Sequence, residues 1–424
     1  MNYDPGSLEG QAENVPQELP DQAPTSNKWN EPRSNIFRVF TTFWVFLIMG
    51  ANDAAYGALL PYLQDYYGIS HMVVSVVFIS PLVGYVIAAL ANNKLHVTLG
   101  QRGVAIISPA CHLIAYIISC VHPPYPVLVV AYIFAGTANG LHEAAWNTYL
   151  GNMENSSEIL GFLHGIYGLG AVVSPLVATN LITRNNVEWY YFYYFMIGIS
   201  TISAVICPLA FWRFTGAAYR KSREHSGEAQ GGLREALFSR EAARASWLCA
   251  ILLLLYVGVE VTIGGWIVEL MLEIRHADAF PAGMTATGYW LGITVGRMVL
   301  GFVTSRLGTK LATAIYILLS IAFALILWLV PHFIVSAVAV SIQGFFLGPL
   351  FPCVVLVMTN LLPKYLHVAA IGFVAAFGGG GAAVLPFVAG GIAQASGVNN
   401  LFPFVVAASA AIFVLWLALP RLKS

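Results

Sequence analysis

The chain has 424 residues, 58% of them hydrophobic and only 9% charged, with a mean hydropathy of +0.73. Soluble domains carry about 25% charged residues, so a water-soluble globule of this length is excluded and lipid must solvate most of the chain. Lys and Arg (20) balance Asp and Glu (20), leaving no basic excess of the kind that phosphate backbones require, and nucleic acid is excluded as a partner.

Residues 1–37 are polar, acidic and rich in Pro, Gln and Asn. They hold too little apolar surface to offset chain entropy and are expected to form a disordered cytoplasmic tail. No basic stretch with a short apolar run and a cleavage site opens the chain, so its first apolar run is read as an uncleaved span. About 20 apolar residues in a helix cross the ~30 Å hydrocarbon core. Such runs fall near 39–61, 72–91, 103–121, 126–150, 159–182 and 189–212, and again near 246–270, 283–305, 309–330, 334–360, 366–394 and 399–420. Backbone groups in lipid must be satisfied within their own segment, which makes helices of all these runs. The expected fold is an all-α membrane protein of twelve transmembrane helices in two six-helix halves, 38–212 and 246–424, joined by a polar, basic cytoplasmic linker at 213–245.

The cations orient this layout by the positive-inside rule. With the N-terminus cytoplasmic, one side carries Lys28, Arg33, Arg38, Lys94, Arg102, the linker cations, Arg306, Lys310, Lys364, Arg421 and Lys423. The other side carries only Arg184 and Arg275, and Arg297 alone lies inside a span. Both termini are therefore expected in the cytoplasm. The five cysteines, Cys111, Cys120, Cys207, Cys249 and Cys353, lie in or beside apolar runs without a C-x-x-C pair. They read as small hydrophobes, with neither a disulfide framework, a metal site nor a cofactor.

The halves echo each other. Gly161-Phe162, Gly170 and Pro175 reappear as Gly372-Phe373, Gly381 and Pro386, all displaced by 211. Gly84 with Leu99-Gly100 reappears as Gly292 with Leu307-Gly308, displaced by 208, and Asp53 with Gly57 as Glu260 with Gly264, displaced by 207. Three ordered matches at nearly one displacement indicate a duplicated six-helix unit, as in many secondary transporters.

An acid at the bilayer centre costs at least about 2.5–3.5 kcal/mol, so acids inside spans are functional candidates. Asp53, Glu143 and Glu260 qualify. Burial disfavours the charged form of a carboxylate in general, which suits such groups to proton coupling; a packing role, through a bond to Asn52, His142 or Arg297, is the alternative for each. Asn139 and Asn147 lie one turn either side of Glu143 on one helix face. Asn52, Asp53, Glu143, Trp146, Asn147, His164, Tyr167 and Trp266 are candidate substrate-binding residues, the tryptophans as stacking faces, although packing is the commoner role of a membrane tryptophan. Arg297 and Arg306 are candidate gating charges. No nucleophile–base pair and no nucleotide loop is present, so an enzyme is not expected.

Twelve spans, two halves and a long central loop resemble the major facilitator superfamily, over residues 36–420. Its basic, Gly-rich loop between the second and third spans is degraded here to Asn92-Asn93-Lys94 and Gln101-Arg102, whereas the copy after the eighth span persists as Gly296-Arg297, Gly301 and Ser305-Arg306-Leu307-Gly308. Asn52-Asp53 and Glu143-Ala144-Ala145-Trp146-Asn147 are similar to motifs of the fucose/proton symporter branch and its fungal relatives of the bypass-of-stop-codon type. The resemblance implies that Asp53 and Glu143 serve proton coupling and substrate binding. The family's Gln and Asn in the fifth span fall at His164 and Tyr167, a departure that bears on the substrate. The expectation is proton-coupled uptake of a small, sugar-like solute by alternating access, with protons, a small molecule and lipid as partners and a monomer sufficient. Efflux of a hydrophobic drug or metabolite, and a non-transporting sensor on the same fold, are the alternatives. The expected location is the plasma membrane, with the vacuolar membrane as alternative.

Overall fold

The computed structural model describes residues 28–226, 237–239, 242–363 and 366–420. The expectations for residues 1–27, for Arg234, Arg240 and Lys364, and for Arg421 and Lys423 lie outside the described residues.

Among the described residues, twelve membrane-length helices run in chain order as α1 (Ser34–Tyr67), α2 (Val76–Leu99, led by a one-turn helix His71–Val74), α3 (Gln101–Cys120), α4 (Tyr125–Gly151), α5 (Ser156–Arg184), α6 (Phe192–Phe211), α7 (Ala243–Glu273), α8 (Ala279–Leu307), α9 (Thr309–Leu329), α10 (Phe333–Leu347, resuming as Leu350–Leu361), α11 (His367–Ser396) and α12 (Leu401–Ala418). Eleven of them are long and apolar enough to cross a membrane. The other, α8, has the length, at 29 residues, but is diluted by Arg297 and by Gly and Thr residues. Most predicted spans match to within a few residues; α1 extends furthest beyond its prediction, because polar residues such as Asn35 and Gln64 continue the helix past its apolar stretch. The linker contains an amphipathic helix, Gly216–Ser226. Arg220 in it donates to the Val97 carbonyl (2.6 Å), docking it under the end of α2.

The duplication is visible in the packing. Membrane helices gain little from apolar burial against one another and approach closely where small residues allow it. Gly84 of α2 rests on the Ile133 carbonyl of α4, and Gly292 of α8 on the Ser341 carbonyl of α10. Gly136 rests on the Pro81 carbonyl, and Gly344 on that of Tyr289. Both members of each pair are displaced by 208. Gly170 rests on the Leu47 carbonyl of α1, and Gly381 on the Leu254 carbonyl of α7.

The halves meet along α1 against α7, α5 against α8, and α11 against α2 and its leading turn. Their close contacts crowd toward the end away from the linker. There Gly57 faces the Gly264 backbone, Gly390 faces Ser75, Gly283 faces Thr179, and the Arg184 guanidinium stacks over Phe280 at 4.0 Å. Toward the linker end, a Cβ on Gly161, Gly301 or Gly372 would meet nothing within 4 Å. The seam between the halves is thus shut at the end away from the linker.

Candidate functional site

Halfway along α1, Asp53 faces this seam and is only half-buried despite its depth in the bundle. Its Oδ1 accepts from Asn52 Nδ2 (2.9 Å) and from Asn139 Nδ2 of α4 (2.9 Å), and its Oδ2 accepts from the Tyr167 hydroxyl of α5 (2.9 Å). All three donors are neutral. A second layer fixes them: Tyr116 of α3 donates to Asn52 Oδ1 (3.1 Å), Asn52 Nδ2 also reaches the Tyr56 hydroxyl (3.2 Å), and His112 Nε2 lies 2.9 Å from Asn139 Oδ1. His112 stacks on Tyr116, with ring centroids 5.5 Å apart. Four helices of the N-terminal half are thereby tied to one carboxylate.

Glu143 is also half-buried, and among the described residues its carboxylate makes no hydrogen bond. It lies within electrostatic reach of Asp53, and Tyr85 of α2 stands near both acids. Asn147, expected to share its face, instead donates to the Glu143 backbone carbonyl (2.9 Å). A helical Asn turned back on its own carbonyl is a local alternative to a tertiary partner. His164, half-buried on α5, packs edge-on to Phe46 at 5.6 Å and lies across the seam within electrostatic reach of Arg297.

In the other half, Glu260 of α7 is 4% exposed. The Arg297 Nη2 donates to its Oε1 at 2.8 Å, and Arg297 Nε donates to the Gly348 carbonyl at 3.2 Å. The Gly348 carbonyl is available because Pro352, four residues on, has no N–H to bond it. Arg297 therefore ties α8 to α7 and α10. Arg306, the other expected gate charge, is exposed in the last turn of α8 and does not join this group.

Of the two expected stacking residues, Trp146 is turned away from the seam, and Trp266 packs across it against Phe78 and His71 of the N-terminal half. Trp146 is fully buried within the N-terminal half, bonded to His142 Nδ1 (2.8 Å) and stacked on Phe211 at 4.3 Å. Trp266 is fully buried between α7 and α11 and donates to the Pro386 carbonyl (3.0 Å). Their rings fill helix interfaces. The residues that sequence reasoning passed over are His112, Tyr116, Tyr85 and Tyr56. The signal was present for His112, a histidine with no loop nearby in the third apolar run.

Twelve membrane-length helices in two repeated halves, with carboxylates facing the seam between them, define a membrane transporter rather than an enzyme. The model of the Major Facilitator Superfamily matches residues 42–268 and 248–424, and the chain belongs to that superfamily. It is 30% identical over 412 residues to Bypass of stop codon protein 6 of Saccharomyces cerevisiae, covering 91% of this chain and 82% of the relative. It is 24% identical over 281 residues to the glucose/mannose transporter GlcP of Bacillus subtilis, covering 63% of this chain and 65% of the relative. Among solved structures, the fold is similar to the Escherichia coli fucose:proton symporter, at a TM-score of 0.60 and 16% identity over 91% of this chain and 98% of that one. A second fucose transporter structure, in the outward conformation, matches at a TM-score of 0.62 and 17% identity over 91% and 99%. The likeness to the fucose symporter branch and its fungal relatives, read from Asn52-Asp53 and the Glu143 motif, agrees with these matches.

Proposed function

We propose that this protein takes up a sugar-like polar solute together with protons, by rocking its two halves about a site at Asp53, Glu143, His164 and Tyr167. The observation that carries the proposal is the shell of Asp53: a carboxylate in the bilayer interior, open to the seam, held by three neutral donors and no cation. Protonation there breaks no ion pair. A proton on Oδ2 would turn the Tyr167 hydroxyl from donor to acceptor, and its hydrogen would then be free for a substrate oxygen. Loading a proton and binding a hydroxyl-bearing solute become one event. The unbonded Glu143 beside it supplies a second acceptor for either. The named activities of the Bacillus relative and of the fucose symporter support a sugar as the solute class. The cation distribution supports a cytoplasmic linker and termini. The closed end then faces outward, and the plasma membrane suits uptake, with the vacuolar membrane as alternative.

The test is the purified protein in liposomes holding a pH dye, challenged with sugars, polyols, amino acids and hydrophobic metabolites. One class of sugar or polyol should evoke proton entry, reduced at least about tenfold by Glu143→Gln. Asp53→Asn should abolish coupled accumulation while sparing exchange of labelled for unlabelled solute, since exchange moves no net proton. Proton movement with hydrophobic compounds alone would replace this reading by efflux. Undiminished coupling in both variants would remove the two acids from the mechanism.

A further inference from the structure

At the closed end of the seam, apart from the substrate site, three side chains from both halves converge. His71 opens the turn that leads into α2, and Glu269 and Glu273 lie one turn apart at the end of α7. His71 Nδ1 is 3.9 Å from Glu269 Oε1, and His71 Nε2 is 3.5 Å from Glu273 Oε1. One donor atom from each residue lies within 4.8 Å of those of the other two. Gln64 Oε1 of α1 stands 3.1 Å from His71 Nδ1, leaving Nε2 directed at the carboxylates. Asp65 adds a further negative charge nearby, and the Trp266 ring lies 6.0 Å from the imidazole and walls the group from below.

The decisive member is Glu269. It is 5% exposed, and its Oε2 is buried with no hydrogen-bond donor among the described residues. A buried carboxylate oxygen with no donor is costly, and such groups point to a missing ion or water. Arg275, the cation nearest in sequence, is engaged elsewhere, with the Ser336 hydroxyl (2.9 Å) and the Leu327 carbonyl (2.6 Å). One imidazole nitrogen with two or more carboxylate oxygens is a donor set suited to Zn²⁺ and similar ions, bound at about 2.0–2.2 Å. Donors around such an ion sit about 3.3 Å apart, so side-chain rotation alone would close the present spacing.

We infer that His71, Glu269 and Glu273 form a binding site for a divalent transition-metal ion that bridges the two halves. Because one ligand comes from the N-terminal half and two from the C-terminal half, a bound ion would hold this end shut and stall the molecule in this conformation. The site uses none of the residues assigned to substrate or proton.

The experiment is a thermal unfolding titration of the full chain in detergent with Zn²⁺, and a visible absorption titration with Co²⁺, both without substrate. Failure here therefore says nothing about transport. Micromolar Zn²⁺ should raise the unfolding midpoint, and Co²⁺ should develop ligand-field bands. His71→Ala and Glu269→Gln should each weaken both responses at least tenfold, and the exposed Glu273→Gln, the change least disturbing to folding, should weaken them several-fold. No response in the parent protein overturns the site, as does a response equally strong in all three variants. A midpoint that moves with pH and ignores both metals also overturns it, and makes the group a protonic latch.

Discussion

Asp53 and Glu260 stand at equivalent places in the two halves, displaced by 207 residues, each four positions before a glycine of the α1–α7 contact. Their surroundings have diverged completely. Asp53 is bonded by two amides and a phenol and stays open to the seam. Glu260 is sealed and clamped by a guanidinium. Duplication supplied the same acid position twice, and the neighbours decide what each can do. Under the repeat, Arg297 of α8 corresponds to Ala89 of α2, so α2 offers Asp53 no cation at the equivalent place. An acid held by neutral donors can trade a proton for the rearrangement of a hydrogen bond. An acid paired with arginine must break an ion pair to do so, which suits it to holding α7, α8 and α10 together.

The largest test of this contrast is Arg297→Ala. Removing one member of a buried pair strands the other, at a cost of about 3–5 kcal/mol, and the purified variant should unfold at a clearly lower temperature. Adding Glu260→Gln should recover much of the loss. A single variant as stable as the parent would mean that the pair is not structural, and would place Glu260 beside Asp53 as a working acid. Tyr167→Phe sharpens the other side. It deletes one hydrogen bond to a charged group, worth about 1.5–3 kcal/mol. Half-saturating solute concentration should rise about ten- to a hundredfold, with a fall in unfolding temperature smaller than that of Arg297→Ala. A change in stability without a change in transport would reduce Tyr167 to packing. The smallest effect should come from Trp146→Phe, which loses one indole hydrogen bond worth about 1 kcal/mol. Transport at saturating solute should be unaltered, and a selective rise in half-saturating concentration would return Trp146 to the substrate site.

How far the molecule could be read from its sequence follows from the same physics. Helix positions were legible because lipid demands uninterrupted apolar runs, and the repeat because close helix packing pins glycines such as Gly84 and Gly292 in place. Asp53, Glu143 and Tyr167 were legible because polar groups in such runs are few. What stayed hidden was partnership. Nothing in one dimension says that Arg297 reaches Glu260 rather than a loop, since that depends on the crossing of α7 and α8 and on a carbonyl released by Pro352. Nor does it say that Trp146 faces its own half while Trp266 packs across the seam against Phe78. A tryptophan has the same signature whether it lines a passage or fills an interface. The second layer was invisible because His112 and Tyr116, one turn apart on α3, reach Asn139 and Asn52 only when α3 packs against α4 and α1.

The seam's closed end has one more consequence. Gly57 and Gly264 seal it with bare backbone on both sides. No side chain has to unhook, change rotamer or take on water for that contact to part, so separating the surfaces there costs mainly dispersion. That one contact opens and shuts by small differences in load, and a single methyl group grown from Gly57, which would strike the Gly264 backbone, would act as a wedge. Placed at position 57, it offers a way to prop the molecule in the opposite posture and watch which face the solute then enters.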